Sequence, residues 1–248
     1  SNRRGAIPAV MHVVAIVPAN NRVDSVAATV TALAQIPDVV EVLVVDDGSI
    51  DGTAETAEKA GARLLSLNAN VGKGDAVLAG IAASGAPQSY LLIDADLGES
   101  AIHAAELLKP LSDDTAEMVI GVFPKAGRSR GFGLLKRVAS QILLDATGQK
   151  FAEPLSGQRA VEGSLMRSLT LAPRFGLEVG LTIDVDEAGG RIQEVAGDFS
   201  HLPSGRGPKG ILHRAKQFRD VMQASASRRG WRGTLESTSR ALLRRTST

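Results

Sequence analysis

Two aspartates flank a single small residue at Asp94-Ala95-Asp96, directly after the apolar run Tyr90-Leu91-Leu92-Ile93. Carboxylates at the mouth of a buried strand can hold a hard divalent cation, which takes oxygen ligands and commonly carries substrate phosphates among its other partners. An Asp-x-Asp triplet also occurs in ordinary turns, but here it is the second acidic strand end. The first is Val42-Leu43-Val44-Val45 running into Asp46-Asp47-Gly48-Ser49. A carboxylate there can accept a hydrogen bond from a pyrimidine N–H or a ribose hydroxyl, and Gly48 permits close backbone approach. The same run can also turn the chain and cap the following helix through Ser49 or Asp51. Between the two acidic ends lies Asn70-Val71-Gly72-Lys73-Gly74, which can turn backbone N–H groups and one ammonium toward a diphosphate at a helix start. Its spacing is not that of a nucleoside-triphosphatase phosphate loop. The set suggests one nucleotide-diphosphate site.

Two later residues bear on it. His201, in Phe199-Ser200-His201-Leu202, can complete a metal shell begun by Asp96, or lie on a surface loop. Glu178 is an acid in the apolar stretch Phe175-Gly176-Leu177-Glu178-Val179-Gly180. Burying it is costly without a partner, and either Arg159 or a substrate hydroxyl would serve. His12, His103 and His213 read as structural or exposed, and Trp231 as a tail contact.

The elements that must position these groups alternate. Residues 13–17 read as a buried strand ended by Pro18, and residues 22–35 carry Val26, Val30 and Leu33 at helical spacing. A second strand at 39–45 leads to a helix reaching about Gly61. A short strand at 63–67, a turn-rich loop at 68–74 and a helix at 75–84 follow. Then come a strand at 90–93, a helix at 101–111 and a strand at 118–122. Beyond a Gly/Arg-rich loop at 127–133, the pattern predicts helices over 134–144 and 175–187 and a strand over 191–195. Such alternation predicts an α/β fold, a mainly parallel central sheet flanked by helices. Ligands of such sheets sit outside the carboxyl ends of the strands, where Pro18-Ala19-Asn20, Asp46-Asp47 and Asp94-Ala95-Asp96 all fall.

The chain has 248 residues, 44% of them hydrophobic and 22% charged, which suits one sizeable globular domain. With no Cys there is no disulfide or thiolate metal site, which fits a cytoplasmic location. No stretch has the apolar length to span a bilayer. Residues 1–10 read as a tag or disordered leader with Met11 a natural start, 11–223 as a single domain, and 224–248 as a basic C-terminal tail. From Arg206 onward eleven Lys or Arg face only Asp220 and Glu236. Such a segment can meet an anionic membrane surface, a phosphorylated acceptor or nucleic acid, or be a solvated tail past Ala224.

In order, Val17-Pro18-Ala19, Val45-Asp46-Asp47-Gly48-Ser49-Ile50-Asp51-Gly52-Thr53, Asn70-Val71-Gly72-Lys73-Gly74 and Leu92-Ile93-Asp94-Ala95-Asp96-Leu97 resemble the family 2-like glycosyltransferases of the GT-A (nucleotide-diphospho-sugar transferase) fold. The second half looks most like the glucosyl-3-phosphoglycerate synthases and their bacterial relatives. It does so through Pro154-Leu155-Ser156-Gly157-Gln158, Gly176-Leu177-Glu178-Val179-Gly180-Leu181-Thr182-Ile183-Asp184 and the late His201. The resemblance implies that Pro18, Ala19, Asn20 and Asp47 border nucleobase and ribose, and that Lys73 meets the donor's base or phosphate side. Asp94, with Ala95 beside it, would contact ribose or sugar, and Asp96 with His201 would bind Mg²⁺ or Mn²⁺ on the diphosphate. Glu178 would touch donor sugar hydroxyls or the acceptor, and Leu155, Ser156, Gly157 and Gln158 would line the sugar pocket. The chain departs from its relatives at Arg22, where many carry an acid. It departs again at Gly127-Arg128-Ser129-Arg130-Gly131-Phe132-Gly133 and at Phe199, where the phosphoglycerate synthases carry a Gly-rich Arg/Thr loop and an Arg. A different acceptor is therefore expected.

The resemblance thus implies a metal-dependent hexosyltransferase, moving glucose from UDP-glucose with retention, with Asp96, Glu178 and Lys73 as the catalytic groups. Retention needs no general base on the enzyme. Inversion would need one, from Glu178 in preference to Asp184. The acceptor would be a small molecule or lipid-linked. A polyprenyl-phosphate or lipid acceptor would go with peripheral membrane contact through the basic tail, and a non-catalytic nucleotide-sugar-binding protein is the alternative. A homodimer is compatible with the sequence, and nucleic acid is not expected as a partner. A nucleotidyltransferase ranks low, because Ala15-Ile16-Val17-Pro18-Ala19-Asn20 has no Gly-rich, basic triphosphate loop.

Overall fold

Strand β1 (Val13–Ala19) sends alternate side chains into two separate cores, as a period of two demands. Val14 and Ile16 join one core, Val13, Ala15 and Val17 the other. The computed structural model describes residues 11–124, 133–169, 176–201 and 209–243, the side chains of 209–217 excepted. In it β1 is flanked by β2 (Val39–Asp46) and β4 (Ser89–Leu92) in a seven-stranded sheet of order β3-β2-β1-β4-β6-β5-β7. The remaining strands are β3 (Arg63–Ser66), β5 (Met118–Val122), β6 (Arg159–Glu162) and β7 (Ile192–Ala196). All pairings are parallel except those of β6 with β4 and β5. The expected mainly parallel α/β sheet is therefore present.

Helices cover both faces. On one, α3 (Lys73–Ala83), α5 (Gly133–Thr147) and α7 (Leu177–Glu187) bury Val77, Ile142, Val179 and Ile183 against Leu43, Tyr90, Leu92 and Ile120. On the other, α1 (Val26–Ala34) and α4 (Ala105–Ser112) bury Val30, Leu33 and Leu107 against Val44, Leu91 and Val119. Two short helices, α2 (Thr53–Lys59) and α6 (Gly163–Ser168), complete the layers. Each fully buried aliphatic side chain contributes on the order of 1.5–3 kcal/mol, so the sheet edge that bears the site rests on a well-anchored scaffold.

The structure corrects several details. Pro18 does not end β1: it continues in register with Val45. Its missing N–H falls on the β4 side, where pairing has already ended at Ile16 and Leu92. The helix expected at 101–111 is a 3₁₀ turn, Gly98–Ala104, followed by α4. Strand β6 escaped the sequence reading. The stretch past Ala224 read as solvated is instead part of α8 (Lys209–Leu243), kinked at Gly230 (φ 73°, ψ 159°). Ser225, Thr234, Ser237 and Ala241 of that helix are buried. Three of its arginines are engaged: Arg228 on Asp184, Arg229 on Ser237, Arg240 on Asp145. Among the described residues no helix is long and apolar enough to cross a membrane. Residues 1–10, Gly127 to Phe132, Phe175 and Leu202 lie outside the described residues.

Candidate active site

The parallel strands all end at one edge of the sheet, and β6, being antiparallel, begins there. Leu92 pairs with Arg159, so residues 154–158 arrive beside Asp94. This is why the overlooked strand matters for function.

At the end of β2 the two acids divide their work. Asp46 Oδ1 accepts Ser49 N–H at 3.2 Å, while the buried Asp47 accepts Val71 N–H at 2.7 Å and Gly72 N–H at 2.9 Å. Asp47 therefore fixes the Asn70–Gly74 segment, and Asn20 Nδ2 donates to the Asp47 carbonyl at 2.7 Å. Asp51, not Ser49, serves the start of α2 by accepting Thr53 N–H at 3.1 Å. Gly48 (φ +71°) sits so close to that segment that a Cβ would lie 2.9 Å from Asn70 N.

The segment hands over to α3 with Lys73 as its first residue. The Lys73 ammonium reaches Asp94 Oδ1 at 2.7 Å and Glu178 Oε1 at 2.8 Å. Glu178 thus finds its partner in Lys73. Arg159 bonds instead to the Ser156 carbonyl, at 3.0 Å, and Thr182 Oγ1, at 2.9 Å. Burial would lower the Lys73 pKa, but the charges of Asp94 and Glu178 override it and hold the ammonium above its ordinary value. Burial would likewise raise Asp94, yet Lys73 and the Gln158 amide hold that carboxyl below its usual 3.8. Arg159, fully buried, is pushed down to about 10 by burial, against the fields of Glu178 and Glu194.

Gln158 grips Asp94 twice, Nε2 donating to Oδ2 at 2.7 Å and Oε1 accepting Asp94 N–H at 3.0 Å. A Cβ on Gly157 would fall 2.6 Å from Asp94 Oδ2 and into the Lys73 ammonium, so a side chain there would displace that ion pair. Leu155 packs on the core and Ser156 is buried within its own turn. The Ala95 carbonyl accepts Ser25 Oγ at 2.8 Å and Thr29 Oγ1 at 3.1 Å, tying the acidic turn to α1.

Asp94, Asp96 and His201 each offer one ligand atom within 4.8 Å of the others. Two carboxylates and an imidazole, with no sulfur, suit a hard or borderline divalent ion such as Mg²⁺ or Mn²⁺. His201 Nδ1 lies 3.0 Å from Asp96 Oδ1, and this hydrogen bond raises the imidazole above its ordinary 6.5, against burial.

Sequence reasoning missed what holds His201. Phe123, immediately after β5, stacks on its ring at 4.7 Å and 18°, and packs on Phe199 at 5.5 Å. Ser100 Oγ donates to the Ser200 carbonyl and accepts Ser200 N–H, both at 3.0 Å. Phe123 was findable, since it occupies a strand end at the same edge; Ser100 carried no signal. Asp184, the weaker candidate base, is ion-paired: Arg228 of α8 engages both its oxygens.

The glycosyl transferase family 2 signature matches residues 14–165, a span running from β1 into α6. The chain belongs to that family. Within it, the chain is 32% identical to glycosyltransferase AglJ of Haloferax volcanii over 169 residues, covering 66% of this chain and 55% of that one. It is 27% identical over 192 residues to glucosyl-3-phosphoglycerate synthase of Mycolicibacterium paratuberculosis, covering 68% and 58%. This family 2 chain therefore spans somewhat more than half the length of these curated relatives. The crystal structure of the Mycobacterium tuberculosis synthase in complex with Mn²⁺, UDP-glucose and phosphoglyceric acid superposes with a TM-score of 0.75 at 25% identity, covering 88% of this chain and 79% of that one.

Proposed function

We propose that this chain is a metal-dependent glycosyltransferase that transfers a hexose, glucose from UDP-glucose in the first instance, with retention at the anomeric carbon. The observation that carries this reading is the convergence of Asp94, Asp96 and His201 at one sheet edge, next to the Lys73 ammonium. Asp96 and His201 would hold Mg²⁺ or Mn²⁺, and the bound cation would neutralise charge developing on the leaving diphosphate. Pro18, Ala19 and Asn20 border the nucleoside. Asp47 acts on that pocket through the loop it fixes. Lys73, on the first turn of α3, keeps Asp94 and Glu178 ionically paired and adds positive charge on the phosphate side. Glu178 and the Gly157–Gln158 turn face the sugar. The UDP-glucose and Mn²⁺ found with the structurally similar synthase support this assignment.

Phosphoglycerate is not the acceptor in this proposal. Phe199, where the resemblance to those synthases implies an Arg, is buried against Phe123 and offers no charge to an anion.

A thermal-shift panel of UDP-, GDP- and dTDP-sugars with and without Mn²⁺ tests the donor. The expected result is a Mn²⁺-dependent rise in melting temperature with UDP-glucose, in line with its occupancy, which Asp96→Ala abolishes. No shift with any donor would overturn the proposal.

A further inference from the structure

The structure places the Arg22 guanidinium 3.9 Å from Asp96 Oδ2. The backbone that presents it is over-determined. Asn21, just before it, holds a left-handed φ of 52°, a conformation that is uncommon outside glycine and that asparagine tolerates best. Asn21 N–H donates to Ser49 Oγ at 2.9 Å, and Asn21 Oδ1 accepts Ile50 N–H at 3.0 Å. Arg22 N–H itself donates to Thr53 Oγ1 at 2.7 Å. The side chain also donates to the Asn21 carbonyl at 3.3 Å. The side chain, 39% exposed, therefore reaches toward the candidate cation ligands.

Two positive charges cannot share Asp96 without cost. A divalent ion bound by Asp96 and His201 would repel the guanidinium, while the diphosphate of a nucleotide would attract it. A planar guanidinium fork matches phosphate oxygens in a way an ammonium does not. Resting on the nucleotide-sugar reading above, we infer that Arg22 is a donor-binding residue that exchanges partners. It sits on Asp96 until cation and nucleotide bind, and then moves to the donor diphosphate. Cation and nucleotide then bind co-operatively, because each relieves the penalty the other would meet, and the coupling is reciprocal.

The test is calorimetric titration of Mn²⁺ alone, and of UDP at saturating Mn²⁺, into wild type, Arg22→Gln and Arg22→Lys. Melting curves confirm that the variants fold. Arg22→Gln should bind Mn²⁺ alone several-fold more tightly and UDP with Mn²⁺ about tenfold more weakly, as loss of a charged hydrogen bond implies. Arg22→Lys should restore part of the UDP affinity. A structural role for Arg22 moves neither constant. Unchanged UDP affinity in Arg22→Gln, or Mn²⁺ binding that is no tighter, overturns the inference. Wild type that binds no UDP would overturn the donor reading instead, while the Mn²⁺-alone comparison would still decide whether Arg22 competes for Asp96.

Discussion

Replacing Lys73 with Met is the most informative single perturbation. The ammonium bridges Asp94 and Glu178 at 2.7 and 2.8 Å, and its side chain is only 19% exposed. Methionine keeps most of the volume and leaves two carboxylates facing one another without a counter-ion. Removing one partner of a buried pair costs about 3–5 kcal/mol. In a chain of this size each kcal/mol lowers the melting temperature by about 2–4 °C, so Lys73→Met should melt roughly 6–20 °C below wild type at neutral pH. The pH dependence gives a second handle. Asp94 is held below 3.8, so its share of the stability is present above that value and lost as pH falls through the depressed one. The gap between variant and wild type should therefore narrow in acid. Adding Asp94→Asn and Glu178→Gln to Lys73→Met should recover most of the stability by removing the unpaired charges, without recovering UDP-glucose affinity. Scanning calorimetry with parallel ligand titration reads both. A Lys73→Met variant that melts like wild type at neutral pH and binds UDP-glucose as well would refute the reasoning.

Phe123→Leu should leave the fold intact and weaken Mn²⁺ binding severalfold, because the His201 ring loses its stacking partner; Phe123→Tyr should rescue it, as read by titration of Mn²⁺. Donating a hydrogen bond to Asp96 raises His201 above 6.5, and only the neutral imidazole ligates a metal. Mn²⁺ affinity should therefore fall as pH drops through a midpoint above 6.5, whereas a pH-independent affinity would remove His201 from the shell. The same sign governs the metal-free protein: the His201–Asp96 pair stabilises it below 6.5, and that contribution is lost as pH rises through the raised value.

Much of the site was legible because parallel strands carry their chemistry at one end. The apolar runs before Asp46-Asp47 and Asp94-Ala95-Asp96 located β2 and β4, and the crossover rule then placed both acidic ends together. What the sequence hid was long-range. Strand β6 is four residues long, with a buried arginine at its start, so neither alternation nor an apolar run marks it. Glu178 meets Lys73 across 105 positions and Ser100 meets Ser200 across 100. Composition misled at α8, where arginines suggest solvent but bond to Asp184, Ser237 and Asp145. The sequence marked Asp47 as a candidate nucleoside contact but not as the carboxylate that holds the Lys73 loop in place.

The central claim is that Asp96 and His201 hold the cation on which the donor diphosphate docks. Crystals soaked with Mn²⁺ and UDP-glucose, with diffraction recorded at the manganese absorption edge, test it most directly. The account predicts one anomalous peak bounded by the Asp96 carboxylate, the His201 imidazole and the nucleotide's phosphates. Bound nucleotide with no peak there, or with the metal held by other residues, would contradict it.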